Sequence, residues 1–381
     1  MAAMPREWVA FLLLVGTIVG AGMFAVPFVF QGAGFLTGVF VLIGLATAAT
    51  CIHLAYAEVV VVTPEAHRLP GYVRGYLGRS LGILSSASYL FGLSGSLLAY
   101  VVLGGAFLGD LLRWLVPSLP STAGYVAFYL FGVAVIARGI RFEGVANAVL
   151  TIALVLALVG LAFTLVPEIS SANLHSSFQA SRFFMPYGVV LFALAGAAII
   201  PDMRRVLGAG APRRLQNLVL LGTVTAAVLY GLFALAVVGA MGGGTTPDAI
   251  SGLAERFGDS YRVAGALIGF LATITSFITL GVVLEGTFRY DFGFRREAAW
   301  LATAIIPGLL ILAGFHDFIA IVSVVGAVAI GFDSMLILAL YGVLRSRGRP
   351  KVVSLPATAC FFLAAVFGLG IIYELFRLFS Q

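Results

Sequence analysis

The sequence predicts an all-helical protein embedded in a membrane, and three observations support this prediction. Apolar residues make up 61% of the 381 residues, only 10% are charged, and mean hydropathy is +1.10. The apolar residues form runs long enough to cross a bilayer, which takes about 20 residues of helix. The basic residues cluster in every second connector between these runs, as expected for a membrane protein with a fixed orientation.

Eleven apolar runs, bounded by charged residues, glycine or proline, are predicted to span the membrane as helices. The fourth run is the shortest, and an error there would invert every later span. The connector at residues 242–260 is long enough to hold a short surface helix. The predicted spans are residues 6–31, 34–62, 81–109, 123–138, 143–166, 183–206, 213–241, 261–288, 295–314, 317–344 and 353–378.

The basic residues predict the orientation of the chain. With a cytoplasmic N-terminus, 17 of the 22 basic residues fall in cytoplasmic connectors. Positive charge accumulates on that side of membrane proteins, so we expect a multi-pass protein of the cytoplasmic membrane with an external C-terminus. The cytoplasmic residues are Arg6, Arg68, Arg74, Arg79, Arg138, Arg141, Arg204, Arg205, Arg213, Arg214, Arg289, Arg295, Arg296, Arg345, Arg347, Arg349 and Lys351, and the external ones are Arg113, Arg182, Arg256, Arg262 and Arg377.

Composition also argues against several functions. The formal charge of +6 follows from the topology, so it does not indicate a nucleic-acid partner. Cys51 and Cys360 lie in separate apolar runs, unlike a disulfide framework or a metal cluster. No small-residue cleavage site follows the first run, so we expect its helix to remain. We expect a monomer in the lipid bilayer, without an organic cofactor.

The first and sixth predicted spans contain residues that disfavour an uninterrupted helix. Gly20 to Gly22 and then Pro27 occur in the first span, and residues 193–198 precede Pro201 in the sixth. A broken helix leaves unpaired N–H and C=O groups, which persist at membrane depth only inside protein or beside a watery cavity. The alternative is that the glycines merely allow close helix packing.

The spacing of these breaks predicts an internal repeat. The breaks lie about 175 residues apart, in corresponding places of two halves. We predict a five-plus-five inverted repeat over residues 6–166 and 183–344, with residues 353–378 as an appended helix. The N-terminus of a half-helix suits a carboxylate, and unwound carbonyls suit an ammonium group or a cation. A zwitterionic amino acid matches both.

The first predicted helix resembles that of a known family. Residues 16–27 read Gly-Thr-Ile-Val-Gly-Ala-Gly-Met-Phe-Ala-Val-Pro, and Gly-Ala-Gly-Phe follows at residues 32–35. This sequence resembles the first helix of the bacterial aromatic and hydroxy amino acid permeases. That group is related to the amino acid/auxin permeases and similar to the leucine-transporter (LeuT) fold. Further similar pieces are Leu69 to Tyr72, Tyr76 to Gly78, Tyr100, Pro201 and Thr275 to Phe277.

The resemblance implies uptake of an amino acid coupled to protons or sodium by alternating access, with the substrate between helices 1, 3, 6 and 8. Residues 20–22 would meet the substrate carboxylate, and residues 195–198 its amino group and side chain. The Tyr100 hydroxyl could bind the carboxylate or instead pack on a carbonyl. The candidate substrate-binding residues are Thr17, Gly20, Ala21, Gly22, Met23, Phe24, Tyr100, Phe192, Ala195, Gly196, Ala197, Ala198 and Phe277.

The sixth-helix break differs from that family. The aromatic permeases tend to place aromatic residues and a histidine there, where this chain has only small apolar residues at positions 193–198. This difference argues against an aromatic substrate.

A sodium site is predicted between the first and eighth spans. The Ala272 carbonyl and the hydroxyls of Thr275 and Ser276 lie within one helical turn. With the carbonyls of Gly16 and Val19 they offer the oxygen ligands that hard cations prefer. The alternative is that the two hydroxyls bond their own helix backbone. The fifth span contains no lysine or arginine that could replace sodium, which favours the ion site.

Ionisable residues inside spans are functional candidates, because burying them is costly. Asp333 is the deepest carboxyl and the leading candidate for a proton carrier or polar gate. Glu58 is a second candidate, although it and Asp202 lie where cytoplasmic arginines could pair with them. His53 is a third, and its alternative is a packing role.

The sequence thus predicts a sodium- or proton-coupled symporter of a neutral amino acid with a hydrophobic or aromatic side chain. The alternative is a membrane-embedded amino acid sensor without net transport. An enzyme is not expected, since no metal-binding or nucleophile motif occurs.

Overall fold

The computed structural model describes residues 4–120, 122–138, 145–175, 178–208, 210–348 and 352–380. Arg141, Arg349 and Lys351, which contribute to the predicted orientation, lie outside these residues. Across the described ranges every regular element is helical. This agrees with the predicted all-helical fold.

Seven helices make up the first half of the chain. The first predicted span is divided between two of them, and one short helix occupies the first predicted cytoplasmic connector. The helices are α1 (Arg6–Ile18), α2 (Gly22–Ala33), α3 (Phe35–Val62), α4 (Leu69–Leu77), α5 (Arg79–Leu115), α6 (Thr122–Ala137) and α7 (Val145–Thr164).

The second half contains two more divided spans. The connector helix expected at residues 242–260 is present at Ile250–Phe257. The helices are α8 (Ser171–Leu174), α9 (Tyr187–Ala193), α10 (Ile200–Leu207), α11 (Pro212–Met241), α12 (Ile250–Phe257), α13 (Asp259–Tyr290), α14 (Arg296–Leu312), α15 (Phe318–Val324), α16 (Gly331–Ser346) and α17 (Ala357–Phe379).

The membrane-spanning character of the chain is evident from helix length and composition. Within the described ranges, eight helical stretches are long and apolar enough to cross a bilayer, and the bent pair α1 and α2 makes a ninth. At the fourth and ninth predicted spans lie α6 and α14, which have 16 and 17 residues. Both are shorter than the roughly 20 residues that a crossing requires. The count of eleven spans therefore stays a prediction.

The predicted break in the first span is confirmed. The axes of α1 and α2 differ by 48°. At Val19 the backbone leaves the helical conformation, with ψ at 72°. The Gly20 N–H then turns back to the Ile18 carbonyl at 2.7 Å, which ends the α-helical hydrogen-bond pattern.

The predicted break in the sixth span is also confirmed. The α-helix stops at Ala193, a single 3₁₀ turn covers Ala197–Ile199, and α10 begins at Ile200. Pro201 lies in the first turn of α10, where its missing N–H leaves no intrahelical bond unmade.

The tenth predicted span differs from the continuous helix expected at residues 317–344. Residues Val325–Ile330 form a π-helical segment between α15 and α16. Gly326 in this segment lies against the backbone of α9, and a Cβ there would be 2.8 Å from the Phe192 nitrogen. The wider π turn thus occurs where the tenth span meets the first half of the broken sixth span.

The core of the bundle is formed by the two longest helices. The 37-residue α5 packs along the 32-residue α13. The broken spans contact this pair through α1 and the 3₁₀ turn at Ala197–Ile199, which both lie against α13, and α2 packs on α9. This packing places both breaks inside the protein, as their unpaired backbone groups require.

Candidate functional site

The break in the first span, residues 18–22, is here called the first break, and that in the sixth span, residues 193–199, the second break. The two breaks lie against each other, and Tyr230 of α11 joins them. Its hydroxyl is 2.5 Å from the Ile18 carbonyl in the first break and 2.9 Å from the Ala193 carbonyl in the second. Tyr230 is fully buried. A Cβ on Gly22 would be only 2.7 Å from the Ala193 Cα, so the two backbones are in direct contact.

The first break leaves several backbone groups without helical partners. The N–H groups of Ala21 and Gly22 donate to no described residue. Both residues are buried, and buried N–H groups are rarely left unpaired. They also begin α2, where the helix dipole favours negative charge. This end of the break is suited to an anion such as a carboxylate.

Two hydroxyl groups flank the first break at Gly20. A Cβ on Gly20 would lie 2.6 Å from the Ser276 Oγ and 3.3 Å from the Tyr100 Oη. Tyr100 is buried, and its ring lies 6.5 Å from that of Phe192. The structure therefore brings together Gly20, Tyr100, Ser276 and Phe192, four of the predicted site residues.

The second break is bound by a histidine from another helix. The Gly196 N–H donates to His53 Nε2 at 3.1 Å, and His53 Nδ1 lies 2.9 Å from the Thr223 Oγ1. Because Nε2 accepts a hydrogen bond, the imidazole is neutral and carries its proton on Nδ1.

The carbonyl groups of Leu194 and Ala195 accept no hydrogen bond from the described residues. Leu194 is fully buried, and together with Ala195, Ala197 and Ala198 it lines a cavity. Unpaired carbonyls at this depth suit an ammonium group or another cation. The second break thus complements the anion-binding character of the first.

The predicted ion-binding oxygens form two close pairs. The Ser276 Oγ donates to the Gly16 carbonyl at 3.3 Å, which links α13 to α1. The Thr275 Oγ1 donates to the Leu271 carbonyl at 2.8 Å and lies 3.2 Å from the Ala272 carbonyl. Ser276 thus faces the first break, whereas Thr275 also makes the bond to its own helix that was the alternative. The sodium site stays a prediction.

Several predicted substrate-binding residues point away from the breaks. The Thr17 hydroxyl donates to Leu13 in its own helix. Met23 lines an apolar groove between α7 and α11. The Phe24 ring packs 5.2 Å from that of Phe107. The Phe277 ring packs 5.6 Å from that of Phe128, towards α6. Their predicted contact with substrate stays a prediction.

Asp333 lies in the same cavity as the second break. This cavity, here called the Asp333 cavity, holds about 80 Å³ of water-accessible space. Its lining comes from α3, α4, α5, α9, the second break, α13 and α16, and from Ile330 of the π segment. The residues are Ala49, Ile52, His53, Tyr56, Leu69, Tyr89, Gly92, Leu93, Ser96, Leu191, Leu194, Ala195, Ala197, Ala198, Leu280, Ile330, Asp333, Ser334 and Ile337.

A buried ion pair lies beside this cavity, on the predicted cytoplasmic side. The Arg68 guanidinium donates to both carboxylate oxygens of Asp202, at 2.6 and 3.2 Å. The side chains are 3% and 0% exposed. Arg205 also pairs with Asp202, and Arg68 Nη1 lies 3.4 Å from the Ala198 carbonyl. The expected pairing of Asp202 with arginines of the predicted cytoplasmic segments is confirmed.

Asp291 holds the same connector to the end of α13. Its carboxylate accepts hydrogen bonds from the N–H groups of Arg68 and Gly71 at 3.5 and 3.3 Å, and lies 3.4 Å from His67 Nδ1. Burial raises the pKa of Asp291, and these three neighbours partly oppose that shift. The Arg68 clamp, meaning Arg68, Asp202, Arg205 and Asp291, thus joins α10 and α13 through the connector before α4.

Glu58 makes a different set of contacts. Its Oε1 accepts hydrogen bonds from the N–H groups of Val352 and Val353 at 2.8 and 2.7 Å, and from Gln216 Nε2 at 3.3 Å. Glu58 thereby fastens the segment before α17 to α3 and α11. Its role as a proton carrier stays a prediction.

Replacing Tyr230 by phenylalanine tests the link between the breaks. The substitution removes the donor shared by two buried carbonyls, so we expect a loss of about 1–3 kcal/mol of stability and weaker solute binding. Thermal unfolding of the purified protein measures the first effect. Tyr129→Phe is the matched control, because its hydroxyl donates to Ala304 between α6 and α14. Equal effects on solute binding in both variants would contradict the role of Tyr230 in joining the two breaks.

The chain is similar in sequence to several known transport proteins. The chain is 21% identical to "Glutamine transporter 2" of Aliivibrio fischeri over 348 residues, 90% of each protein. It is 26% identical to "Tyrosine-specific transport system 1" of Haemophilus influenzae over 328 residues, 80% of this chain and 79% of the relative. It is 25% identical to the "Tryptophan-specific transport protein" of the same organism over 346 residues, 84% of this chain and 82% of the relative.

The fold is also found among solved structures. The crystal structure of MhsT in complex with L-phenylalanine superposes with a TM-score of 0.66 over 99% of both chains, at 16% identity. This similarity confirms the LeuT-like fold. The profile of the tryptophan/tyrosine permease family matches residues 4–373, nearly the whole chain. The protein is therefore a multi-pass membrane transporter that belongs to the tryptophan/tyrosine permease family.

Proposed function

We propose that the protein is a cation-coupled symporter of a neutral amino acid that works by alternating access. The observation that carries this proposal is the contact between two buried helix breaks with opposite unpaired groups. N–H groups at Ala21 and Gly22 are without partners among the described residues, and so are the carbonyls of Leu194 and Ala195. A zwitterion satisfies both sets at once.

The substrate carboxylate binds at the first break. The N–H groups of Ala21 and Gly22 donate to it at the start of α2, and the Tyr100 hydroxyl beside Gly20 is a third donor. The ammonium group faces the carbonyls of the second break. The relatives support a neutral substrate, since their names specify glutamine, tyrosine and tryptophan, and MhsT was crystallised with L-phenylalanine.

The coupling cation is sodium or a proton. Sodium coupling is supported by the bond from Ser276 to the Gly16 carbonyl, which joins the predicted ion oxygens of α13 to the first break. A cation there would hold α1 against α13 and favour substrate binding through the same break. Proton coupling would instead require a titratable group such as Asp333, Glu58 or His53. The N-terminus is placed in the cytoplasm, following the arginine distribution.

Reconstituted vesicles test this function. Purified protein in liposomes is supplied with each of the twenty labelled amino acids under a sodium gradient, a proton gradient or no gradient. We expect saturable uptake of at least one neutral amino acid that depends on one gradient. Absence of such uptake for all twenty would overturn the proposal, and binding without uptake would instead indicate a sensor.

A further inference from the structure

We propose that His53, held by Thr223, is a positioning residue that aims the Ala195 carbonyl at the substrate amino group. His53 acts through the Gly196 N–H rather than through contact with the substrate. This inference rests on the proposed function, because it takes the ammonium group of the amino acid to bind at the second break.

The hydrogen bond to His53 fixes the direction of one peptide plane in the second break. The Gly196 N–H, which donates to His53 Nε2 at 3.1 Å, belongs to the same peptide group as the Ala195 carbonyl. This peptide is trans, and in a planar trans peptide the N–H and C=O bonds point in opposite directions. The Ala195 carbonyl therefore points away from the imidazole, and its direction is kept as long as the Gly196 N–H stays on His53.

The Ala195–Gly196 peptide has no other hydrogen-bond partner among the described residues. It lies between the end of α9 at Ala193 and the 3₁₀ turn that begins at Ala197, so no helical hydrogen bond holds it. Gly196 also lies against the first break, since a Cβ there would be 2.9 Å from Ile18 Cδ1. His53 thus determines where an unpaired carbonyl points at the place where the two breaks meet.

Thr223 of α11 sets the tautomer that this hydrogen bond requires. The Thr223 hydroxyl donates its single proton to the Val219 carbonyl at 2.9 Å, so its oxygen accepts from His53 Nδ1, 2.9 Å away. With the proton held on Nδ1, Nε2 presents a lone pair to the Gly196 N–H. His53 is 3% exposed and Thr223 is fully buried, so water has little access to either bond.

The arrangement requires a neutral imidazole. A proton on His53 Nε2 would place two N–H groups against each other, with their nitrogen atoms 3.1 Å apart. It would also add a positive charge behind the carbonyls proposed to bind the ammonium group, and like charges oppose each other strongly inside a protein. His53 therefore supports substrate binding by staying neutral, which separates its role from that of a proton carrier.

Removing the amino group from the ligand tests this role. The ligand is the amino acid, among the twenty, that binds purified wild-type protein most tightly by isothermal titration calorimetry. Its analogue is the same carboxylic acid without the amino group, such as 3-phenylpropionate for phenylalanine. We expect the wild type to prefer the amino acid by at least about tenfold, the size of one hydrogen bond to a charged group.

Variants of His53 and Thr223 should change this preference in a defined order. Asparagine ends at the δ position and cannot reach Gly196, so His53→Asn should lower the preference at least about fivefold, with the affinity for the analogue kept within about twofold. Glutamine places an acceptor at the ε position, so His53→Gln should retain the preference. Thr223→Val removes the acceptor for Nδ1 and should act like His53→Asn, whereas Thr223→Ser should resemble the wild type.

Thr303→Val is the matched control. The Thr303 hydroxyl is buried and likewise donates within its own helix, to Ala299 of α14, so this variant should keep the wild-type preference. Thermal unfolding of each variant separates loss of binding from loss of fold, and Thr223→Val carries the test if His53→Asn does not fold.

Three results would overturn the inference. The first is a wild-type preference in folded His53→Asn and Thr223→Val. The second is an equal loss of affinity for the amino acid and its analogue, which would indicate a structural role unrelated to the amino group. The third is equal affinity of the wild type for both ligands. Failure of all twenty amino acids to bind the wild type would instead overturn the proposed function itself.

Discussion

Replacing Gly22 by leucine should lower the initial rate of amino acid uptake by about 100-fold, because misplacing a binding group by ~1 Å can cost that much. A Cβ at this position would lie 2.7 Å from the Ala193 Cα and 2.9 Å from the Phe192 Cδ1. The Ala193 backbone cannot rotate away as a flexible side chain can, so the two breaks must separate. Separation displaces the Gly22 N–H from the carbonyls of the second break.

Two further variants make this test specific. Gly44→Leu is the matched control, because a Cβ on Gly44 of α3 meets no atom within 4 Å, and its uptake should equal that of the wild type. Gly22→Ala should fall between the two. Labelled uptake is compared with thermal unfolding of each variant, so that loss of transport is separated from loss of fold. Wild-type uptake by folded Gly22→Leu would contradict contact between the breaks at this position.

The positions of the breaks could be predicted because their signals are local. Glycine and proline act on the backbone where they occur, so Gly20 to Gly22 and Pro201 mark the breaks without knowledge of any neighbour. No local sequence pattern predicts which residues of other helices form hydrogen bonds with the breaks. His53 and Gly196 are 143 residues apart, and Tyr230 is 212 residues from Ile18. A single sequence carries no information about which of many buried polar residues will meet.

The sequence also does not predict which neighbouring helix each side chain of a span faces. The resemblance implies a substrate contact for Met23, Phe24 and Phe277. The first two follow Gly22 in the sequence, and the third follows the predicted ion-binding residue Ser276. One residue turns an α-helix by about 100°, and the structure places these three side chains towards α7, α5 and α6. In long uniformly apolar spans no polar face reveals this rotation. The π segment at Val325–Ile330 is not predictable from the sequence either, because it lies where Gly326 meets the backbone of α9, which is distant in sequence.

Breaking the Arg68 clamp should cost both stability and transport. Arg68→Met leaves Asp202 with only the half-exposed Arg205 as a described ion-pair partner, and Asp202→Leu leaves the Arg68 guanidinium buried. Removing one member of a buried pair costs about 3–5 kcal/mol. Thermal unfolding of each single variant should show this loss. Asp110→Asn is the control, since its pair with Arg113 is 30–38% exposed and contributes less than about 1 kcal/mol.

The double variant Arg68→Met with Asp202→Leu separates structure from mechanism. Replacing both members of a buried pair by apolar residues restores most of the stability, so the double variant should unfold close to the wild type. Its uptake should remain low. Arg68 Nη1 also lies within reach of the Ala198 carbonyl at the edge of the second break, a contact that methionine cannot make.

The stable double variant should show low uptake because the proposed alternating-access mechanism requires the Arg68 clamp to open. The clamp joins α10 to α13 on the predicted cytoplasmic side, and the proposed mechanism requires that side to open for the amino acid to leave. A charged pair can open because water solvates each partner once it is exposed, whereas an apolar pair loses its favourable burial on opening. The double variant should therefore bind amino acid and release it slowly, which single-turnover efflux from loaded vesicles measures directly. Wild-type efflux would show that the clamp only stabilises the fold.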